Sequence, residues 1–205
     1  MFHALKEKIK GKGTRIVFTG GSDQRVIEAA IRLKKENILE PILLGNREEI
    51  LYAAKGKGFD VEGIELLDPK EYHSIDKMVK RVVELRRGKL DEKMAYEECL
   101  KPNFFGTMYV EMGYADGLLG GSTNSTADTL RPIMRLVKTS PGNSIVSSCF
   151  LMCKQEKEYI FADCSLNIKP NVDELVEITL QSAQSAKTFG MKPRVALLSY
   201  STYGS

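Results

Sequence analysis

The feature that most restricts what this chain can fold into is a repeated alternation. A short apolar run is followed by a turn, then by a segment with apolar residues at helical spacing. Arg15–Thr19 (RIVFT) is the first such run, closed by Gly20, Gly21 and Ser22. Asp23 then stands where a helix N-cap belongs, ahead of Val26, Ile27, Ala30, Ile31 and Leu33 on one helical face. The pattern returns with Pro41–Leu44 and a helix over Arg47–Lys57, and with Ile64–Leu67, which Asp68-Pro69 ends. Ser74–Arg87 has helical spacing through Ile75, Met78, Val79, Val82, Val83 and Leu85. Helices over Asp91–Leu100 and Asn103–Gly113 and a strand over Ala115–Leu119 complete the series. Repeated βα units predict an α/β fold, a mainly parallel sheet with helices on both faces.

Beyond Lys138 the texture changes. Ile145–Cys153 and Tyr159–Asp163 read as a strand pair joined across the charged turn Lys154–Glu158. A long helix is expected over Val172–Phe189 and a strand over Val195–Tyr200. The turn TSPGNS at Thr139–Ser144 is the best boundary, giving a first α/β domain over 1–139 and a second over 145–205. Cys149 and Cys153 fall four apart in an expected strand, so they share a face and read as core thiols. Neither they nor Cys99 and Cys164 have zinc-site spacing, and His3 and His73 lie far from any cysteine in sequence. Unpaired core thiols fit a reducing cytoplasm.

Charge narrows the partners. The formal net charge is only +3, and basic residues such as Lys8, Lys10 and Lys12 or Lys34 and Lys35 are dispersed as on a solvated face. That is no nucleic-acid footprint. No run approaches the roughly 18 apolar residues of a membrane span. The start, MFHALKEKIKGKG, reads as a short amphipathic helix rather than a signal peptide.

Ala115–Gly142 (ADGLLGGSTNSTADTLRPIMRLVKTSPG) carries the chemistry. Gly120 and Gly121 precede the hydroxyls of Ser122, Thr123, Ser125, Thr126 and Thr129; Asp128, Arg131, Arg135 and Lys138 follow. Glycines admit close approach of backbone, and N–H groups with hydroxyls at a helix start bind anionic oxygens. Arg131 adds a planar fork suited to phosphate. The same residues also suit an ordinary capped helix, with Ser125 and Thr126 satisfying orphan N–H groups and Arg131 on the surface. Asp128 could orient Arg131 or cap the helix. Chemistry alone leaves both readings open.

The segment resembles the central motif of the phosphate acetyltransferase and phosphate butyryltransferase family. Ala115-Asp116-Gly117, the run from Ser125 to Pro132 (STADTLRP) and Lys138-Thr139 all match. Further matches are Arg15–Phe18 with Asp23 and Arg25, Pro41–Gly45, Arg86–Lys89 (RRGK), Asn103–Met108 (NFFGTM), Phe161–Cys164 and Pro193–Gly204. The family has Pro-Glu at Thr19-Gly20, Glu at Gln24 and histidine at Asn124. Asn124 can hydrogen-bond but cannot change charge, so any proton-transfer role of that histidine is lost. The Thr19–Ser22 turn imitates a dinucleotide loop but lacks the G-x-G-x-x-G spacing.

The resemblance implies two α/β domains with a cleft between them, like isocitrate and isopropylmalate dehydrogenases, with the C-terminal part missing here. It implies reversible transfer of an acetyl group between acetyl phosphate and coenzyme A, or of a butyryl group in close relatives. Coenzyme A is then a substrate rather than a cofactor, no metal is implied, and the full-length form is expected to be a homodimer. Ser125, Thr126, Asp128 and Arg131 would meet the acyl phosphate, and Arg86 would lie near coenzyme A. Arg86 otherwise reads as a polar helix end, favoured by the macrodipole. The family's Ser-Arg-Gly motif and following aspartate, used most directly in acyl transfer, match nothing up to Ser205. The catalytic residues are therefore expected outside this sequence, and a non-catalytic fragment that binds acyl phosphate or a partner subunit is the rival reading.

Overall fold

A computed structural model describes residues 2–155 and 157–198, which fall into two compact units, residues 2–138 and residues from 139 onward. In the first, β1 (Arg15–Phe18), β2 (Glu40–Leu44), β3 (Glu65–Leu67) and β4 (Gly117–Leu119) form one parallel sheet in the order β3-β2-β1-β4. The α/β expectation holds. Helices α1 (Phe2–Ile9), α2 (Gln24–Lys35), α3 (Arg47–Lys55), α4 (Ile75–Arg86), α5 (Glu92–Cys99), α6 (Pro102–Glu111) and α7 (Thr126–Leu136) connect or flank the strands.

Period-two alternation along the strands splits the core. Val17, Ile42 and Leu44 pack with Met78, Val82, Phe105 and Met108 on one face. Phe18 and Leu43 pack with Ile27, Ala30, Ile50 and Ala54 on the other. Both faces are covered, which is why EPILL (Glu40–Leu44) is an apolar run rather than an alternating one. Cys99 lies fully inside, and burial pushes its thiol up to about 12, so it is an inert core group.

Helix starts follow the capping residues. Asp23 caps α2 through the N–H of Arg25, Asn46 caps α3 through Glu49, and Asp91 caps α5 through Met94. Hydrogen bonds from the Arg25 side chain lower the Asp23 carboxyl to about 2, from an ordinary 3.8. A depressed folded value means that this contribution is complete above pH about 4 and disappears as pH falls through 2. Asp23→Asn, which keeps the cap but not the charge, should therefore differ most from wild type at neutral pH. Urea titrations should show that difference closing between pH 4 and pH 2. Asp23→Ala should cost about 1 kcal/mol at pH 7; an unchanged urea midpoint would remove Asp23 as a structural cap.

In the second unit, β5 (Cys149–Lys154) and β6 (Lys157–Ala162) make an antiparallel hairpin, and α8 (Val172–Thr188) packs against β6. Asn171 and Glu174 form a reciprocal capping box at the start of α8. The hairpin agrees with expectation, but its first strand begins at Cys149 rather than Ile145. Residues 145–148 are held by side chains instead of a strand ladder. Glu177 accepts from the Ser144 and Ile145 N–H groups, Gln181 donates to the Ile145 carbonyl, Asn167 donates to the Val146 carbonyl, and Asp163 accepts from Ser148. Burial opposes charge on Asp163, but donors from Ser148 and Asn167 outweigh it and hold the carboxyl well below its usual range.

Two expectations are corrected. Cys149 and Cys153 share a face but are exposed, not core thiols. Shielding of that face reaches Leu151 and Ile160 at its centre, both half-buried, and falls short of its ends. The expected strand over Val195–Tyr200 is absent over 195–198, where Val195, Leu197 and Leu198 are exposed and unladdered; Ser199 and Tyr200, with the rest of the match to Gly204, lie outside the described residues.

Candidate functional site

From β1 the chain moves outward through β2 to β3, then returns to place β4 on the other side of β1. The order reverses between β1 and β4, and open α/β sheets bind ligands outside the carboxyl ends of strands at such a switch point. The loops that meet there are Thr19–Asp23 after β1 and Gly120–Ser125 after β4. Arg25 ties them: its guanidinium donates to the Asp23 carboxylate at 3.0 and 2.6 Å and to the Ser122 carbonyl at 3.4 Å.

Glycine is required where these loops close. A Cβ on Gly21 would stand 2.8 Å from the backbone oxygen of Leu44, and one on Gly120 would stand 2.9 Å from Thr19 Oγ1. Gly21 also donates its N–H to that Leu44 oxygen at 3.2 Å. The Thr19–Ser22 segment is thus a tight strand–helix turn bordering the crevice.

Ser125 is the N-cap of α7. Its hydroxyl accepts from the Asp128 N–H at 3.1 Å and donates to the Asp128 carboxylate at 2.7 Å. Thr129 donates back to the Ser125 carbonyl at 3.1 Å. Asp128 joins the cap and stands 3.6 Å from Arg131. Thr126 is the first helical residue and is exposed, as is Arg131. The helix start is both an ordinary cap and an accessible positive end.

A cavity of about 340 Å³ opens between α6 and α7, lined by Asn124, Asp128 and Arg131 together with Lys101, Asn103 and Arg135. It joins Asn124, Asp128, Arg131 and Arg135 of the hydroxyl-rich segment with Lys101 and Asn103, which the sequence did not assign to the same site. The signal for Arg135 was readable: it stands four residues after Arg131 and so shares its helical face. Asn103 and Lys101 come from another helix, and no local pattern couples them to Arg131. Ser125, Thr126 and Arg86 do not line this cavity. Arg86 instead donates to the Arg135 carbonyl at 3.2 Å, so its guanidinium supports the last turn of α7.

A second cavity, about 300 Å³, lies over β3 beside Tyr72, Tyr109 and Tyr114. Its Arg15 is already paired with Glu65 at 2.6 Å, and Tyr109 donates to the same carboxylate. In the α6–α7 cavity, by contrast, Arg131 has only a loose partner, Asp128 at 3.6 Å.

The model for the family described as Phosphate acetyl/butaryl transferase matches residues 1–205, the whole chain. The chain belongs to this family. It is similar to the phosphate acetyltransferase of Bacillus subtilis (strain 168), 43% identical over all of this chain and 64% of the relative. It is also similar to that of Staphylococcus aureus (strain MRSA252), at 42% over all of this chain and 62% of the relative. Among solved structures, a phosphotransacetylase from Streptococcus pyogenes superposes with a TM-score of 0.93 at 45% identity, covering 100% of this chain and 63% of that one. The EutD phosphotransacetylase from Staphylococcus aureus gives 0.91 at 42%, covering 98% and 61%. The chain therefore spans less than two thirds of the length of these family members.

Proposed function

We propose that the protein to which this sequence belongs is a phosphate acetyltransferase, catalysing acetyl phosphate + coenzyme A = acetyl-CoA + phosphate. The thiolate sulfur attacks the acetyl carbonyl, the C–S bond forms, the bond from that carbon to the phosphate oxygen breaks, and phosphate leaves with the electron pair. The observation that carries the reading is Arg131, exposed one turn into a Ser125-capped helix at a sheet switch point, in a chain of this family. A fork of donors there would take up charge on the departing phosphate. Ser125 and Thr126 add donors at the helix start, Asp128 orients Arg131, and Arg86, beyond its bond to the Arg135 carbonyl, would meet coenzyme A, which is a substrate rather than a cofactor.

In this reading the thiol is activated by groups in the part of the relatives that the chain does not span. The whole protein has two α/β domains with the site in the cleft between them, arranged as in isocitrate dehydrogenase, and it works as a cytoplasmic homodimer. Acetyl is preferred to butyryl, in keeping with the names of its relatives.

A fusion tests this. The remainder of the Bacillus subtilis relative, joined after Ser205, should form acetyl-CoA from acetyl phosphate, followed by thioester absorbance, while residues 1–205 alone should not. A folded fusion that is silent where the intact relative turns over would sink the proposal. Activity from residues 1–205 alone would place the thiol-activating groups within this chain instead.

A further inference from the structure

The cavity over β3 has no part in the acyl-transfer reading, and its walls carry charge of both signs. Three of the charged side chains there are committed to the fold. Arg15 pairs with Glu65 at 2.6 Å, and Tyr109 donates to that carboxylate at 3.3 Å. Asp68, only 7% exposed, accepts from the Asn46 side chain at 3.1 Å and from the Lys70 N–H at 2.9 Å. Arg47 and Glu71 differ. Both line the cavity and are exposed, and neither side chain has an ion pair or hydrogen bond among the described residues. Opposite charges about 4 Å apart attract by about 1 kcal/mol even in bulk water. These two share a cavity without forming such a pair.

Aromatic rings supply the second, independent observation. Tyr109 lies 6.0 Å from Tyr72 at 72° and 5.3 Å from Tyr114 at 57°. Rings tilted in this way present both edges and faces, so a further ring can enter edge-to-face among them. Burial, above all, pushes the Tyr72 phenol up to about 12, so it is neutral and adds no charge to the wall. The volume, about 300 Å³, suits a small ligand.

We propose that this cavity binds an aromatic α-amino acid as its zwitterion. Arg47 takes the carboxylate through its planar fork, Glu71 takes the ammonium, and the tyrosine rings pack against the side chain. A simple anion would meet Glu71 as a repelling charge, and a simple cation would meet Arg47. Only a ligand that carries both signs satisfies both walls. The site lies over β3, an edge strand two places from β1 in the sheet. Binding there involves no acyl transfer, so the inference does not rest on that reading.

Titration calorimetry at pH 7 and fixed ionic strength, on residues 1–205 and on the fusion with the Bacillus subtilis remainder, decides the matter. L-phenylalanine should bind with a Kd of about 1 mM or tighter. Phenethylamine lacks the carboxylate, 3-phenylpropionate lacks the ammonium and glycine lacks the ring. Each should bind at least roughly tenfold more weakly. Arg47→Gln should erase the preference for L-phenylalanine over phenethylamine and keep that over 3-phenylpropionate; Glu71→Gln should do the reverse. Neither side chain bonds to the described residues, so both variants should keep the wild-type circular dichroism. Binding of L-phenylalanine by neither protein, equal binding of any one of the three partial probes, or affinity indifferent to either substitution would each overturn the proposal. A silent fusion that shows these preferences would sink only the acyl-transfer reading. An active fusion without them would sink only this one.

Discussion

Arg131→Lys in the fusion with the Bacillus subtilis remainder is expected to lower acetyl-CoA formation by roughly 30- to 100-fold, nearly as far as Arg131→Ala. Lysine keeps the positive charge but replaces a rigid planar fork with one compact ammonium on a flexible stem. Losing a charge-assisted hydrogen bond that strengthens as the phosphate departs is worth about 2–3 kcal/mol, which gives that factor in rate. The position supports this. Arg131 is held loosely, with Asp128 3.6 Å away, so its donors are available to a ligand rather than committed to the fold. Acetyl phosphate and coenzyme A would be supplied at saturation and the thioester followed by absorbance, with folding checked by circular dichroism. A lysine variant with wild-type rate would reduce Arg131 to a nearby charge and remove the fork from the mechanism.

Phe105→Ala should cost about 3–5 kcal/mol, a large share of the 5–15 kcal/mol typical of a whole domain. Phe105 is fully buried in the middle of α6, in the cluster that also holds Val17, Ile42 and Leu44. Its ring stacks on Tyr109 at 5.8 Å and meets the edge of Tyr72 at 5.1 Å. Truncation removes both contacts and leaves a hole among the strands and helices around it, which cannot collapse without moving α6. Urea unfolding followed by far-UV circular dichroism measures the loss, and a change below about 1 kcal/mol would show that this face is not the tightly packed core described above.

Most elements were legible because their signals are local. Val26, Ile27 and Ala30 fall on one face of α2 by spacing alone, and Asp23 announces its start. Ser125 marks the start of α7 in the same way, and the STADTLRP run together with the other ordered matches along the chain carried the family resemblance. The resemblance picked out Arg131 and Asp128, and the structure puts both on one cavity wall. Arg86 donates through one guanidinium nitrogen to a carbonyl 49 residues away, a contact with no local trace.

The hairpin shows the limit from the other side. Alternation put Cys149 and Cys153 on one face correctly, since side chains on a strand alternate whatever surrounds it. Whether that face is inside depends on what packs over it, and the two thiols are exposed. Residues 145–148 have strand-like composition but spend their hydrogen bonds on Glu177, Gln181, Asn167 and Asp163, partners 15 to 36 residues away. Periodicity and capping determine where helices and strands begin and which residues share a face, because both act within a few residues. Only the tertiary structure could bring Asn103 and Lys101 of α6 against Arg131 and Arg135 of α7. Those groups meet because the sheet order reverses between β1 and β4 and both helices pack in the first unit, and no interaction along the chain encodes that meeting.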